Sequence, residues 1–177
     1  MSVEIAIEVN GTAHRLRVAP TETLLDVLRE RLGLTGTHRD CCMGICGACT
    51  VLFDRRPVSS CLLLAGQADG GAVTTVEALE RDGTLSPLQE AFLMHGATQC
   101  GYCTPGFLMT ATALLEENPS PTRADIVEAL KGNLCRCTGY KKIVEAVEFV
   151  AARRIAGAGR SGAHDTPRVR VSHRVAK

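Results

Sequence analysis

The sequence predicts an α+β chain, a β-rich half followed by an all-helical half. Two observations carry that prediction. Apolar residues alternate with period two at the start of the chain, and helix-cap signatures recur beyond residue 85.

Val3, Ile5, Ile7 and Val9 alternate with Glu4, Ala6 and Glu8, as in a half-buried strand. Asn10-Gly11 supplies the positive φ angles of a tight hairpin, and Leu16 and Val18 alternate again on the return strand. A helix is expected over Thr23 to Leu32, with Thr23 as cap and Asp26 three residues on. Leu24, Leu25, Leu28 and Leu32 line one side, and Gly33 ends it. Short strands are expected at Thr50 to Phe53, Cys61 to Ala65 and Val73 to Thr75.

In the second half, Ser86-Pro87-Leu88-Gln89 reads as a capping box with Pro at the first helical position, starting a helix to His95. Thr104-Pro105 opens another, with Phe107, Leu108, Ala111, Leu114 and Leu115 at helical spacing and Asn118-Pro119 as the stop. Thr122 with Asp125 caps a third helix ending near Gly132, and a fourth runs from Tyr140 to Arg154 on an Ile143, Val144, Val147, Val150 stripe. These signals divide the chain into domains at 1–78 and 79–156, followed by a basic, flexible tail at 157–177 where apolar periodicity vanishes.

Composition narrows the function. A chain of 177 residues has no room for a multidomain catalyst with its own flavin and substrate folds. With two Tyr, four Phe and no Trp, the core must be aliphatic. The first 150 residues carry 13 Lys/Arg against 18 Asp/Glu and the last 27 carry seven against one, so the body is acidic and the tail basic. No basic face with interleaved aromatics supports nucleic-acid binding. Ala91 to Leu115 has no charge, but Gly96, Gln99, Gly101, Pro105 and Gly106 interrupt it, which argues against a membrane span. Glu4 and Glu8 break any apolar secretory segment, so the expected compartment is the cytoplasm. No P-loop, dinucleotide fingerprint, nucleophile elbow or catalytic carboxylate pair appears.

Nine cysteines in a reducing compartment point to metal rather than disulfides. Cys41, Cys46, Cys49 and Cys61 follow C-x4-C-x2-C-x11-C, the first part being the plant-type spacing for a [2Fe–2S] cluster. Two irons sharing two sulfides need three thiolates from one tightly wound loop and a fourth from elsewhere, and Gly44, Gly47 and Ala48 suit that loop. Cys100, Cys103, Cys135 and Cys137 form C-x2-C-x31-C-x-C, each pair just before an expected helix start, where partial positive charge favours an anionic centre.

Together with Gln99-Cys100-Gly101-Tyr102-Cys103-Thr104-Pro105-Gly106 and Gly132-Asn133-Leu134-Cys135-Arg136-Cys137-Thr138-Gly139-Tyr140, these residues resemble the small iron–sulfur subunit of molybdenum hydroxylases, the xanthine dehydrogenase, aldehyde oxidoreductase and carbon monoxide dehydrogenase family. The resemblance spans Val3 to Val150. It implies a plant-type ferredoxin-like (β-grasp) domain followed by an all-α four-helix domain, each with one [2Fe–2S] cluster. It implies a heterotrimer with a large subunit carrying molybdopterin-bound molybdenum and a medium subunit carrying FAD, and leaves open a dimer of heterotrimers. It further implies that Gln99 and Cys137 touch the pterin, and that electrons pass from molybdenum through the Cys100 cluster and the Cys41 cluster to FAD. The chain departs from the family at Asp40-Cys41-Cys42, where the first ligand is usually followed by an acidic residue. Spacing selects Cys41 and leaves Cys42 as a spare thiol, expected to be buried.

Competing readings are a stand-alone ferredoxin-type carrier, a structural zinc module, and thiol–disulfide exchange at Cys100-Gly101-Tyr102-Cys103. Zinc calls for neither the x4 spacing nor the close C-x-C pair, and exchange expects a βαβ setting. His14 and His38 read as exposed or locally satisfied, His95 as a helix-end residue beside carbonyls, and His164 and His173 as tail. Arg136 reads equally as a cluster-tuning charge or a surface contact, and Lys141 and Lys142 as a solvated face.

Overall fold

The computed structural model describes residues 2–158, so the readings of the tail, His164 and His173 lie outside the described residues. Strands β1 (Val3–Val9) and β2 (Thr12–Val18) form the expected hairpin, with Asn10 at φ 52° and Gly11 at φ 79° turning it. Ile5, Ile7 and Val9 are buried while Glu4, Ala6 and Glu8 face out. Strands β3 (Thr50–Phe53), β4 (Arg56–Ser59) and β5 (Ala72–Thr74) complete a mixed sheet of order β2-β1-β5-β3-β4, in which β1 and β5 run parallel. The edge strand β4 escaped the sequence reading because Pro57 within it argues against a strand, and an edge is where proline is tolerated.

Helix α1 (Leu24–Asp26) carries the expected cap. Thr23 accepts from the Asp26 N–H, and Asp26 accepts from the Thr23 N–H at 2.9 Å. The helix then widens into a π turn over Val27–Arg31, and Gly33 at φ 69° ends it.

The strand expected at Cys61 to Ala65 is not formed. Leu24 donates to the Leu63 carbonyl and Leu25 to the Ser60 carbonyl, so this segment satisfies the orphan N–H groups of α1. Its only ladder contact among the described residues is a bridge between Thr23 and Leu64, followed by a 3₁₀ turn at Ala65–Ala68.

The second half contains α2 (Pro87–Met94), α3 (Thr104–Glu117), α4 (Arg123–Leu130) and α5 (Lys141–Ala158). Both anticipated capping boxes are present, Ser86 with Gln89 and Thr122 with Asp125. Each such cap stabilises its helix by about 1 kcal/mol. Phe92, Phe107, Ile126, Ile143 and Val147 are buried in the shared core of these helices, and Arg154 closes it by donating to the Leu115 carbonyl at 2.8 Å.

A separate aliphatic core of Ile5, Ile7, Val18, Leu24, Val27, Leu28 and Val51 sits under the sheet. The two halves meet where Leu52 of β3 packs on Met109 and Ala113 of α3. Among the described residues no helix is long and apolar enough to cross a membrane.

Candidate metal centres

The first quartet is built on the loop between α1 and β3. Three left-handed residues, Cys42, Gly44 and Gly47, wind it tightly enough that the N–H groups of Met43 and Cys46 each reach the Cys41 sulfur at 3.4 Å. Gly44 takes its left-handed φ of 71° without strain, and a Cβ there would also press on the Leu62 side chain over Cys61. Arg29 anchors the entry to the loop by donating to the Thr35 and Thr37 carbonyls. Cys46, Cys49 and Cys61 are buried, whereas Cys41 is half-buried. Ser60, which precedes Cys61, donates its hydroxyl to the Cys49 carbonyl at 2.7 Å and so ties the two thiol-bearing segments together.

The second quartet lies where two helices begin. Cys103 is the N-cap residue of α3, and Cys135 and Cys137 precede α5 through Gly139 and Tyr140, both at positive φ. Both helix N-termini thus end at the thiols. Cys100 and Cys137 are exposed with their sulfurs 3.6 Å apart, while Cys103 and Cys135 are half-buried. Thr138 donates to the Cys135 sulfur from its hydroxyl at 3.0 Å and from its N–H at 3.4 Å. Tyr140 accepts from the Cys135 N–H at 3.1 Å and rests edge-on against Phe107.

In each quartet the thiols come as two pairs. The N–H groups of Met43 and then Cys46, with the Cys46 thiol, hold the Cys41 thiol down at about 7, while burial pushes Cys46 up. Burial and the Cys49 thiol push Cys61 up to about 12. Burial and the Cys135 thiol likewise push Cys103 up to about 12. Burial raises Cys135 too, but the Thr138 hydroxyl and N–H leave it below its ordinary value. Hydrogen bonding to Cys100 raises Cys137.

Two adjacent thiolates repel, and a cation bound between them relieves that repulsion. Among the described residues no three His, Cys, Asp or Glu converge as ligands of one ion do.

Polar contacts join the two centres. Leu134 donates its N–H to the Cys46 carbonyl at 2.9 Å, and the buried Asn133 side chain donates to the Gly47 carbonyl at 3.0 Å. A Cβ on Gly106 would lie 2.1 Å from the Gly47 carbonyl oxygen, so α3 touches the first loop directly.

On the other side, His38 stacks on Tyr102 with ring centroids 4.7 Å apart, its Nδ1 is 2.7 Å from the Tyr102 carbonyl oxygen, and the Tyr102 hydroxyl donates to the Arg39 carbonyl. His38 is therefore a bridge between the halves, not a locally satisfied residue. His95 packs its ring on Phe149 at 4.9 Å, while its N–H caps α2.

Cys42 is exposed, which overturns the expectation of a buried spare thiol. Its left-handed backbone at φ 52° turns it out of the loop. Gln99 is exposed beside Cys100, and Arg136 is exposed between its flanking cysteines. Lys141 and Lys142 both reach Glu145 on the solvated face of α5. Motif reading named Asn133, Tyr102 and Thr138 as motif residues and His38 as exposed or locally satisfied but missed their contacts, which are set by how the two halves meet and by the turn before α5.

Comparison with known proteins agrees with this geometry. Residues 7–74 match a family model described as a 2Fe-2S iron-sulfur cluster binding domain, and residues 75–148 match a [2Fe-2S] binding domain. The chain is 60% identical over 145 residues to the nicotine 6-hydroxylase small subunit of Paenarthrobacter nicotinovorans, covering 82% of this chain and 87% of that one. It is 44% identical over 149 residues to the xanthine dehydrogenase iron-sulfur-binding subunit of Escherichia coli O157:H7, covering 82% and 92%. The crystal structure of quinoline 2-oxidoreductase from Pseudomonas putida 86 matches with a TM-score of 0.83 at 46% identity, over 88% of this chain and 98% of that one.

Proposed function

The chain belongs to the iron–sulfur subunits of the molybdenum-containing xanthine dehydrogenase and aldehyde oxidoreductase family, and from that premise we propose that it relays electrons from a molybdopterin centre on a large partner subunit to FAD on a medium one. It is the non-catalytic iron–sulfur subunit of an oxidoreductase.

Cys41, Cys46, Cys49 and Cys61 hold one [2Fe–2S] cluster, and Cys100, Cys103, Cys135 and Cys137 the other. Bound there, each cluster supplies a one-electron carrier. The two cysteine quartets, each gathered in one place and each inside a matched [2Fe-2S] domain, are the observation that carries this reading.

The chain's own residues do the rest. The Met43 and Cys46 N–H groups and the Thr138 hydroxyl donate to thiolate sulfurs and stabilise added negative charge. The buried walls around Cys46, Cys49 and Cys61 exclude water from the first centre. Gln99, Cys100 and Cys137 form the exposed edge of the second centre, the side on which the pterin docks against Gln99 and Cys137. The complex is a heterotrimer of the cytoplasm. The nicotine and quinoline enzymes among its relatives make an N-heteroaromatic compound the first substrate to try.

Iron, zinc and acid-labile sulfide per chain, with electron paramagnetic resonance of the reduced protein, test the cofactors. About four irons with matching sulfide and two distinct signals support the relay, and zinc without sulfide sinks it. Purification of the tagged chain from its host separates the subunit from a stand-alone carrier, since only the subunit brings molybdenum and flavin with it.

A further inference from the structure

We propose that Asn133 is the positioning residue that holds the two cluster loops in register for electron transfer between them. The inference rests on the relay proposed above and supplies the residue that sets its middle step. In that step one electron leaves the reduced second centre and reduces the first, with no bond made or broken and no proton moved.

Asn133 is 3% exposed and lies two residues before Cys135. Its Nδ2 donates to the Gly47 carbonyl at 3.0 Å and to the Thr50 hydroxyl at 3.4 Å, and its Oδ1 accepts from the Thr110 hydroxyl at 2.8 Å. Gly47 sits between Cys46 and Cys49, and Thr110 sits on α3, the helix that Cys103 caps. One side chain therefore ties together three segments that each carry or adjoin thiols of the quartets. The Gly47 carbonyl fixes its orientation, since it can only accept and a flipped amide would set an oxygen against it, while the Thr110 hydroxyl donates to Oδ1.

What this amide holds in place is the adjacent bond. Leu134 donates to the Cys46 carbonyl at 2.9 Å, so the backbone of a first-quartet thiol and the residue preceding a second-quartet thiol are joined by a single hydrogen bond. Gly47 and Gly106 permit the approach, because a Cβ on Gly47 would lie 2.4 Å from the Gly132 carbonyl oxygen and one on Gly106 would lie 2.1 Å from that of Gly47. Glycines allow closeness without specifying register, which falls to the Leu134–Cys46 bond and the amide beside it. A buried amide with both ends satisfied does specify it, since any slip leaves the Asn133 NH2 and Oδ1 without their buried partners.

The test uses the full chain, purified anaerobically with both clusters, as wild type, Asn133→Ala and Thr110→Val. Thr110→Val removes the hydroxyl that donates to Asn133 Oδ1 at nearly constant volume and keeps the test open should Asn133→Ala fold poorly. Two readouts are taken, the spin–spin splitting between the clusters in the fully reduced protein and the rate of electron equilibration by freeze-quench resonance after a reducing pulse.

The expected result is full iron and sulfide in a variant, with diminished splitting and slowed equilibration. Unchanged splitting and rate in cluster-replete variants overturns the role of Asn133. Loss of clusters from both variants assigns Asn133 to assembly instead and also overturns it. A wild-type chain without [2Fe–2S] signals overturns the relay itself, and the inference falls with it.

Discussion

The Thr138 hydroxyl donates to the Cys135 sulfur at 3.0 Å, and the Thr138 N–H reaches the same atom at 3.4 Å. Both donors sit in the turn before α5, so one residue delivers side-chain and backbone dipoles to a single thiol of the second quartet. Hydrogen bonds to a ligand sulfur stabilise the reduced, more negative cluster and raise its potential. Thr138→Val removes the shorter bond at nearly constant volume. Redox titration should find the second cluster's potential lowered by roughly 60 mV, the one-electron equivalent of about 1.4 kcal/mol, with the first cluster's unmoved. A shift of both potentials together would mean the variant acts through the fold rather than through Cys135.

The division of thiols into two independent sets predicts separable losses. Cys49→Ser removes a buried thiol of the first quartet and Cys103→Ser the cap residue of α3. Each variant should retain about half of the roughly four irons expected for two such clusters, and each should lose a different resonance signal. Cys42→Ser is the control. Its thiol is exposed and lies outside both sets, so iron content and both signals should stay at the wild-type level.

The close approach of the two halves predicts where a single methyl group is not tolerated. A Cβ at Gly106 would lie 2.1 Å from the Gly47 carbonyl oxygen and 3.0 Å from Asn133 Nδ2, and backbone cannot yield there without separating α3 from the cluster loop. Gly106→Ala should destabilise the protein by about 3 kcal/mol or more, in the range of severe overpacking. Gly66 has nothing within 4 Å of its added Cβ and an ordinary φ, so Gly66→Ala should change stability by no more than about 0.5 kcal/mol. Thermal unfolding of both variants with clusters in place makes the comparison.

Much of this architecture was legible in the sequence because it is set locally. The alternation of β1, the Asn10-Gly11 turn, the three capping boxes and the spacing of the cysteines each depend on residues a few positions apart. What the sequence hid depends on partners far along the chain. The segment at Cys61 to Ala65 has the apolar run of a strand, yet its carbonyls serve the N-terminus of α1. His38 gave no signal of its contact because its partner, Tyr102, is 64 residues away. Asn133 looked like part of a ligand motif, and only the packing of α3 on β3 gives its amide something to hold.

The last prediction concerns the surface around the first quartet. Met43, Ile45 and Leu62 are 64%, 60% and 57% exposed, and all three adjoin thiols of that quartet. A cluster of apolar side chains beside a redox centre is costly to leave in water and marks where a partner covers the chain. Under the proposed relay that partner is the FAD subunit, while the molybdenum subunit meets the opposite centre at Gln99 and Cys137. Ile45→Glu, alone or with Leu62→Glu, buries an unpaired charge in the first interface and leaves the second untouched. Co-purification of the tagged variant should therefore lose flavin at least tenfold relative to molybdenum, with both clusters retained. Equal loss of molybdenum would show that this face belongs to the large subunit, and no loss of either would show that the apolar surface is not an interface of the complex.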